Sequence, residues 1–386
     1  VEGSIEELRE ELYLTRRATQ YVIEALWELD KLPTINQAHQ MFYKILREQG
    51  FRAHQCKQIY KYALGIVKSA KENGGKKPVL KKLSARLDKY DAKVDLENQL
   101  VVVKLRNKMF KIKLLHNRDY IKKFLSRKWY EVIISIDKQN RIWICIPFRW
   151  VYNPYKHKKL ISLDINLKKI VAYNGKKVRR LNTRFTEALY LKHHAEEVQK
   201  KHNYAWRRNK KWLETIRALH RRSRNIVVDW SRKFAKYVVL KAKRMKSAIV
   251  LEDLEKLWFN SSQKSSSLAD KLSRFAYRKL QHAVVTKAIE YNVPVIFVNP
   301  RGTSSLCPRC GAMLVYSHRL AICTRCRFIA DRDVVGAMNI YLKAFQTLAP
   351  RLGSWGTHPM TNETRAKGGL HKNEPMIAYI HSYKNI

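Results

Sequence analysis

Between residues 5 and about 71 apolar positions recur at three- and four-residue steps: Leu8, Leu12, Tyr21, Ile23 and Leu26, then Phe42, Ile45 and Leu46. Such spacing gathers them on one helical face, and the break at Leu32-Pro33-Thr34 makes the segment a helical hairpin or small bundle. Residues 72–78 (Glu-Asn-Gly-Gly-Lys-Lys-Pro) have the composition of a linker. Beyond them the period drops to two. Residues 100–103 and 109–114 flank Arg106-Asn107-Lys108, and residues 129–136 and 142–148 flank a second polar turn, so two β-hairpins are expected, together forming a small barrel or sheet. From 159 the order becomes strand, strand, long helix, strand, helix, strand, an α/β arrangement.

Composition narrows the class. With 386 residues the chain has room for two or three domains, and 78 Lys+Arg against 32 Asp+Glu give a formal charge of +46. A charge of that size suits a long polyanion, so nucleic acid is the first partner to consider. Hydrophobic residues at 45%, with 20 Tyr, 12 Phe and 9 Trp, describe a folded body rather than a disordered basic tail. No apolar run approaches a membrane span, and the charged start lacks the apolar core of a secretion signal. A cytoplasmic, nucleoid-associated protein that is not secreted is expected; the oligomeric state stays open.

Charge is densest between residues 200 and 224, where Lys200, Lys201, Arg207, Arg208, Lys210, Lys211, Arg217, Arg221, Arg222 and Arg224 face a lone acid, Glu214. Trp206, Trp212, Leu213, Ile216 and Leu219 are interleaved. Like charges crowded on a helix destabilise it unless a polyanion relieves them, so these ten residues are candidates for tracking phosphates. A merely solvated face is the plainer alternative.

Cys307-Pro-Arg-Cys310 and Cys323-Thr-Arg-Cys326 are two CxxC knuckles twelve residues apart, and Gly311 follows the first. Two thiolates per turn and two turns complete a four-sulfur tetrahedral shell, which predicts a structural Zn²⁺ with no open position. Two disulfides, free thiols or a redox pair would use the same residues with less economy. Cys56 and Cys145 stand apart.

Three acids draw attention. Asp164 is embedded in the apolar strand Leu160-Ile-Ser-Leu-Asp, Glu252 ends Ala248-Ile-Val-Leu-Glu, and Asp333 opens a helix after the cysteines. An unpaired carboxylate in a buried strand is unfavourable, and a cation is one way to offset it. Singly, each has an ordinary explanation as a strand-end or capping residue, and Asp331 is a second candidate beside Asp333. In combination, two strand acids and a helix acid can meet at one sheet edge and seat two hard divalent ions, Mg²⁺ or Mn²⁺ rather than zinc.

The run Val298-Asn-Pro-Arg-Gly-Thr-Ser-Ser-Leu-Cys-Pro-Arg-Cys-Gly311, with the second knuckle and Asp331-Arg-Asp-Val-Val-Gly-Ala-Met-Asn-Ile340, closely resembles the C-terminal signature of the TnpB family. These are transposon-encoded, RNA-guided nucleases related to compact type V CRISPR effectors. The resemblance is most specific over 293–342, reaches back through 249–254 and 161–164, and is architectural before about 155. It implies a multidomain α+β and α/β protein: a helical recognition lobe at 1–75, a β-barrel-like wedge domain at 76–158, and an RNase H-like (RuvC) nuclease domain at 159–345. A zinc ribbon would be inserted at about 301–330, and a disordered tail would occupy 346–386. The short strand the family places before the first helix is not visible, so the wedge is expected to lack an N-terminal piece.

Carried over, the resemblance puts the catalytic, magnesium-binding acids at Asp164, Glu252 and Asp333 and the zinc ligands at Cys307, Cys310, Cys323 and Cys326. Val335 departs from the family pattern, which has Asn there. The implied partners are a guide RNA and double-stranded DNA, and the implied activity is endonucleolytic, directed by a short target-adjacent motif. An inactive RNA-guided DNA-binding regulator, a strand-transfer transposase and a general RNA-binding zinc-ribbon protein are the other classes; retention of all three acids favours the nuclease. His193-His194 reads as surface or packing rather than catalytic, and residues 261–267 (Ser-Ser-Gln-Lys-Ser-Ser-Ser) as a mobile loop or lid.

Overall fold

The computed structural model describes residues 4–253, 268–348 and 376–381. The expected lid at 261–267 lies outside them, as does most of the tail. Two compact units emerge: one runs to Val151 and includes the strand at Met376–His381, the other begins at Tyr152.

The first unit opens with three helices, α1 (Ile5–Trp27), α2 (Ile35–Glu48) and α3 (Ala53–Glu72). Ser4 starts α1, its hydroxyl accepting from the Glu6 amide, and Thr34 with Gln37 forms a capping box that starts α2 after Pro33. Their apolar stripes bury Val22, Ile23, Leu26, Phe42, Leu46 and Tyr60 in one core, so the small-bundle expectation describes the packing. The turn at Gly50, with φ of 84°, separates α2 from α3 and carries no apolar signal of its own.

The hairpins follow as β1 (Leu83–Asp88), β2 (Ala92–Asp95), β3 (Leu100–Leu105), β4 (Lys108–Lys113), the short helix α4 (Arg118–Ile121), β5 (Glu131–Ile136) and β6 (Ile142–Trp150). They belong to two sheets. β2-β3-β4 is one, and β1-β5-β6 is the other, extended by Met376–His381. The tail therefore includes a strand antiparallel to β6, with Tyr379 opposite Pro147.

In the second unit β7 (Lys159–Ile165), β8 (Lys169–Tyr173) and β9 (Val178–Asn182) lead into α5 (Phe185–Lys201) and α6 (Lys210–Arg244). Then come β10 (Ser247–Glu252), α7 (Leu268–Glu290) and β11 (Val295–Val298). The sheet order is β11-β10-β7-β8-β9, with β10 parallel to both β11 and β7. Two features differ from the sequence expectation. β9 is an additional strand. The expected single basic helix is interrupted by a 3₁₀ turn at Asn203–Arg207, because Asn203 adopts φ of 42° and Asn209 restarts the helix by accepting from the Trp212 amide.

Strand parity decides which side each residue serves. Ile161, Leu163, Ile249 and Leu251 pack toward α5, α6 and α7 with Val227, Phe234, Leu280 and Val284. Leu160, Ala248, Val250 and Val298 face the opposite way, against Ile340 and Ala344 of α8 (Arg332–Leu348). The cysteine region, β12 (Val315–Ser317), β13 (Leu320–Ile322) and β14 (Ile329–Asp331), leads directly into α8. The strand at Met376–His381 is β15. Among the described residues, no helix is long and apolar enough to cross a membrane.

Candidate functional site

Asp164 and Glu252 share the parity of Leu160, Ser162, Ala248 and Val250, so both belong to the side of the sheet that α8 covers. The parallel register pairs Val250 with Ser162; continued along both strands, it sets Glu252 level with Asp164. Helix α8 is tied down there by Ser162, whose hydroxyl donates to the Ala337 carbonyl at 2.6 Å. Gly336 touches Asp164 so closely that a Cβ on it would lie 3.1 Å from the carboxylate carbon. Asp333, one turn earlier on the same helix face, is thereby brought to the two strand acids.

Electrostatics records the same gathering. Burial pushes the Asp164 carboxyl up to about 7, the Glu252 and Asp333 carboxylates add to it, and the Asn166 amide and Arg332 charge oppose it. Asn166 donates to Asp164 Oδ2 at 2.8 Å. Burial also raises Glu252, against a 2.6 Å hydrogen bond from the Thr303 hydroxyl to Oε1 and the charge of Lys343. The Glu252 carbonyl accepts from Tyr277 and Gln281 at 3.2 and 3.0 Å, fixing the strand end on α7.

Asp333 is buried and held by two cations: Arg319 of the β12–β13 turn donates to its Oδ2, and Lys169 Nζ lies 3.3 Å from the same oxygen. Lys169 also pairs with Asp331 at 3.1 Å. Burial works to raise Asp331, but the Lys169 ammonium and the Asp333 amide hold its carboxyl below the ordinary range. Through that 2.9 Å bond from the Asp333 amide, Asp331 caps the first turn of α8, which leaves Asp333 as the acid beside Asp164.

Lys169 and Arg319 were not among the candidates from sequence. Single basic residues in a chain with 78 of them carry no local signal, and their partners are set by the fold.

The four cysteines form a tighter cluster. Among the described residues they are the group of possible metal ligands whose donor atoms all lie within 4.8 Å of one another; the three acids are less closely drawn, with Asp333 engaged by its two cations. Cys307 and Cys326 sulfurs are 3.6 Å apart, Cys310 and Cys323 sulfurs 3.5 Å. A tetrahedron with Zn–S of about 2.3 Å has edges of about 3.8 Å, so the cluster fits such an ion with slight expansion.

The knuckles match each other. The amides of Arg309 and Cys326 donate to Cys307 and Cys323 sulfurs at 3.4 Å each, and Gly311 and Arg327 follow with φ of 74° and 58°. The amide bond to Cys323 favours its thiolate and is the main reason that thiol is lowered. Val335 packs in the ribbon core with Leu314, Ala321 and two of the cysteines, which gives the departure from the family pattern a packing role.

All ten basic candidates from Lys200 to Arg224 are exposed, distributed over the end of α5, the 3₁₀ turn and α6. His193 and His194 are exposed on α5, as expected.

A model of the family described as Cas12f1-like, TNB domain matches residues 277–340, the stretch from α7 through the cysteine knuckles into α8. A TnpB-like protein of Methanocaldococcus jannaschii is 30% identical over 247 residues, covering 58% of this chain and 84% of that protein. A second TnpB-like protein of the same organism is 24% identical over 367 residues, covering 92% and 84%. Among solved structures, Cas12f1 in its complex with sgRNA and target DNA aligns with a TM-score of 0.57 at 11% identity, over 88% of this chain and 82% of that one. At that identity the likeness is one of fold.

Proposed function

Because this chain belongs to the TnpB-like family, we propose that it is an RNA-guided, divalent-metal-dependent DNA endonuclease with Asp164, Glu252 and Asp333 as its catalytic acids. The observation that carries this reading is the meeting of two strand-end acids and one helix acid on the α8 side of a single sheet, close enough for Glu252 and Asp333 to raise Asp164. The sheet β11-β10-β7-β8-β9 is then the RNase H-like nuclease domain, with the cysteine region as its zinc-ribbon insert. The helices and hairpins of the first unit serve as recognition lobe and wedge.

Three hard carboxylates suit Mg²⁺ or Mn²⁺: Asp164, Glu252 and Asp333 would hold such ions, which would supply an activated water and charge stabilisation for the departing 3′ oxygen. The chain's own residues prepare that centre. Asn166 and Thr303 orient Asp164 and Glu252 through single hydrogen bonds, leaving oxygens of both carboxylates for a cation. Arg319, 61% exposed at its side chain, stands beside Asp333 and is suited to hold a phosphate oxygen of the strand being cut.

The four cysteine thiolates would hold Zn²⁺ and thereby fix the β12–β13 turn that carries Arg319. Base pairing with the guide RNA reads the DNA sequence, so the protein needs chiefly positive surfaces and shape recognition, which a net charge of +46 supplies.

Purified protein should cut double-stranded DNA only with its cognate guide RNA, Mg²⁺ and the correct adjacent motif. Asp164→Ala should abolish cutting and leave guide RNA affinity within about twofold, since it removes a metal ligand and no phosphate contact. Equal cutting without guide would defeat the guided reading, and wild-type rates in the variant would defeat the site.

A further inference from the structure

The turn joining α5 to α6 presents aromatic rings to solvent. No residue of Asn203–Arg207 is buried, and Tyr204 is 72% exposed. The Arg207 guanidinium lies over both Tyr204 and Trp206, 5.3 and 5.1 Å from the ring centres. His202 stacks on Trp212 at 3.9 Å with an interplanar angle of 22°. Around these rings are the exposed cations Lys200, Lys201, Arg208, Lys210 and Lys211.

We propose that this turn is a stacking platform for unpaired nucleotides, whose phosphates continue along α6. The chemistry selects the partner. An apolar protein surface would not tolerate so many cations around its contact, and a lipid surface would call for aliphatic residues that the turn lacks. Unpaired nucleotides supply both π faces for Tyr204 and Trp206 and phosphates for the surrounding ammonium and guanidinium groups. A paired duplex offers only the phosphates.

The track has a second station. Lys211, Arg222 and Asp229 fall on one face of α6, Lys211 and Arg222 three turns or about 16 Å apart. Midway along α6 an open groove is lined by Arg184, Arg221, Arg222, Asn225, Ile226 and Asp229, whose carboxylate is paired with Lys233 at 2.8 Å. Arginines there can hold a phosphate while Asn225 meets a base edge.

This inference rests on the nucleic-acid role proposed above, and its test involves no guide, magnesium or cleavage. Anisotropy of fluorescein-labelled U₁₂ and dT₁₂ strands and of a 12-base-pair duplex would be measured with full-length wild type and with Tyr204→Ala combined with Trp206→Ala. Affinity for the single strands should fall about tenfold or more, since each stacked base contributes that order of binding. Duplex affinity should change less than about twofold, and the salt slope should not move, because no phosphate contact is lost.

Tyr204→Ala alone is the control for folding, its side chain being exposed, and Tyr204→Phe should retain binding. The U₁₂ and dT₁₂ arms tell an RNA strand from a DNA strand; a selective loss for either supports the platform. Equal losses for single strands and duplex, no loss at all, or wild-type preference for anionic phosphatidylserine vesicles over both strands would overturn it. Failure of guided cutting with this selectivity intact would count against the nuclease reading alone.

Discussion

Asp164 shows how a single residue can report a site. Its carboxyl titrates near 7 rather than near 3.8, so between about pH 4 and 7 the folded protein holds a proton that the unfolded chain has released. The native state binds more protons there, and stability must fall as pH rises through that window. With each unit equivalent to about 1.4 kcal/mol, the destabilisation approaches about 4 kcal/mol by pH 8. Asp164→Asn removes the charge and keeps the shape. In zinc-loaded protein without magnesium, urea denaturation should find the variant more stable than wild type at pH 8 by up to that amount, and nearly equal to it at pH 4. A difference independent of pH would contradict the burial and crowding described for this carboxyl.

Asp164 and Glu252 were legible in the sequence for the same reason that they are unstable as bare charges: each interrupts an apolar strand, and alternation already assigns each to the side of Leu160 or Ala248. Lys169 and Arg319 were not. The Lys169 partner Asp331 lies 162 positions away, and Arg319 meets Asp333 only because the ribbon hairpin folds back 14 residues. Nothing local distinguishes either from a solvated surface charge.

At the scale of elements, α8 is the piece that completes the centre. Gly336 permits its approach, since a methyl there would press on Asp164 at 3.1 Å and displace its carboxylate by a few tenths of an ångström. Alanine also favours a helix over glycine by about 1 kcal/mol, so stability and activity should separate. Gly336→Ala should leave the melting temperature unchanged or raised while slowing guided cleavage about tenfold, because carboxylate placement governs the rate. Unaltered cleavage kinetics would show that the close approach has no catalytic consequence.

The elements themselves were unevenly legible. Helices with long apolar stripes and hairpins with clean alternation stood out. Strand β9, Val-Arg-Arg-Leu-Asn, did not, because two adjacent arginines hide its period. The interruption of the basic helix was equally hidden: Tyr204 and Trp206 look like any amphipathic helix until Asn203 enters the left-handed region.

On the proposed reading, the whole molecule divides its work between two kinds of metal chemistry and one kind of charge. Four soft thiolates organise the ribbon, three hard carboxylates meet on the sheet, and the excess of 78 basic over 32 acidic residues covers surfaces that a polyanion can neutralise. Membership of the TnpB-like family explains why these features occur in one chain. The carboxylate centre is the part on which the enzymatic account depends. Its direct test is titration of zinc-loaded protein with Mn²⁺, followed by the paramagnetic signal of the free ion. Wild type should take up two Mn²⁺ per chain, and Asp164→Ala, Glu252→Ala and Asp333→Ala should each lose at least one with the zinc content unchanged. Identical Mn²⁺ uptake by wild type and all three variants would show that these acids do not share a metal site.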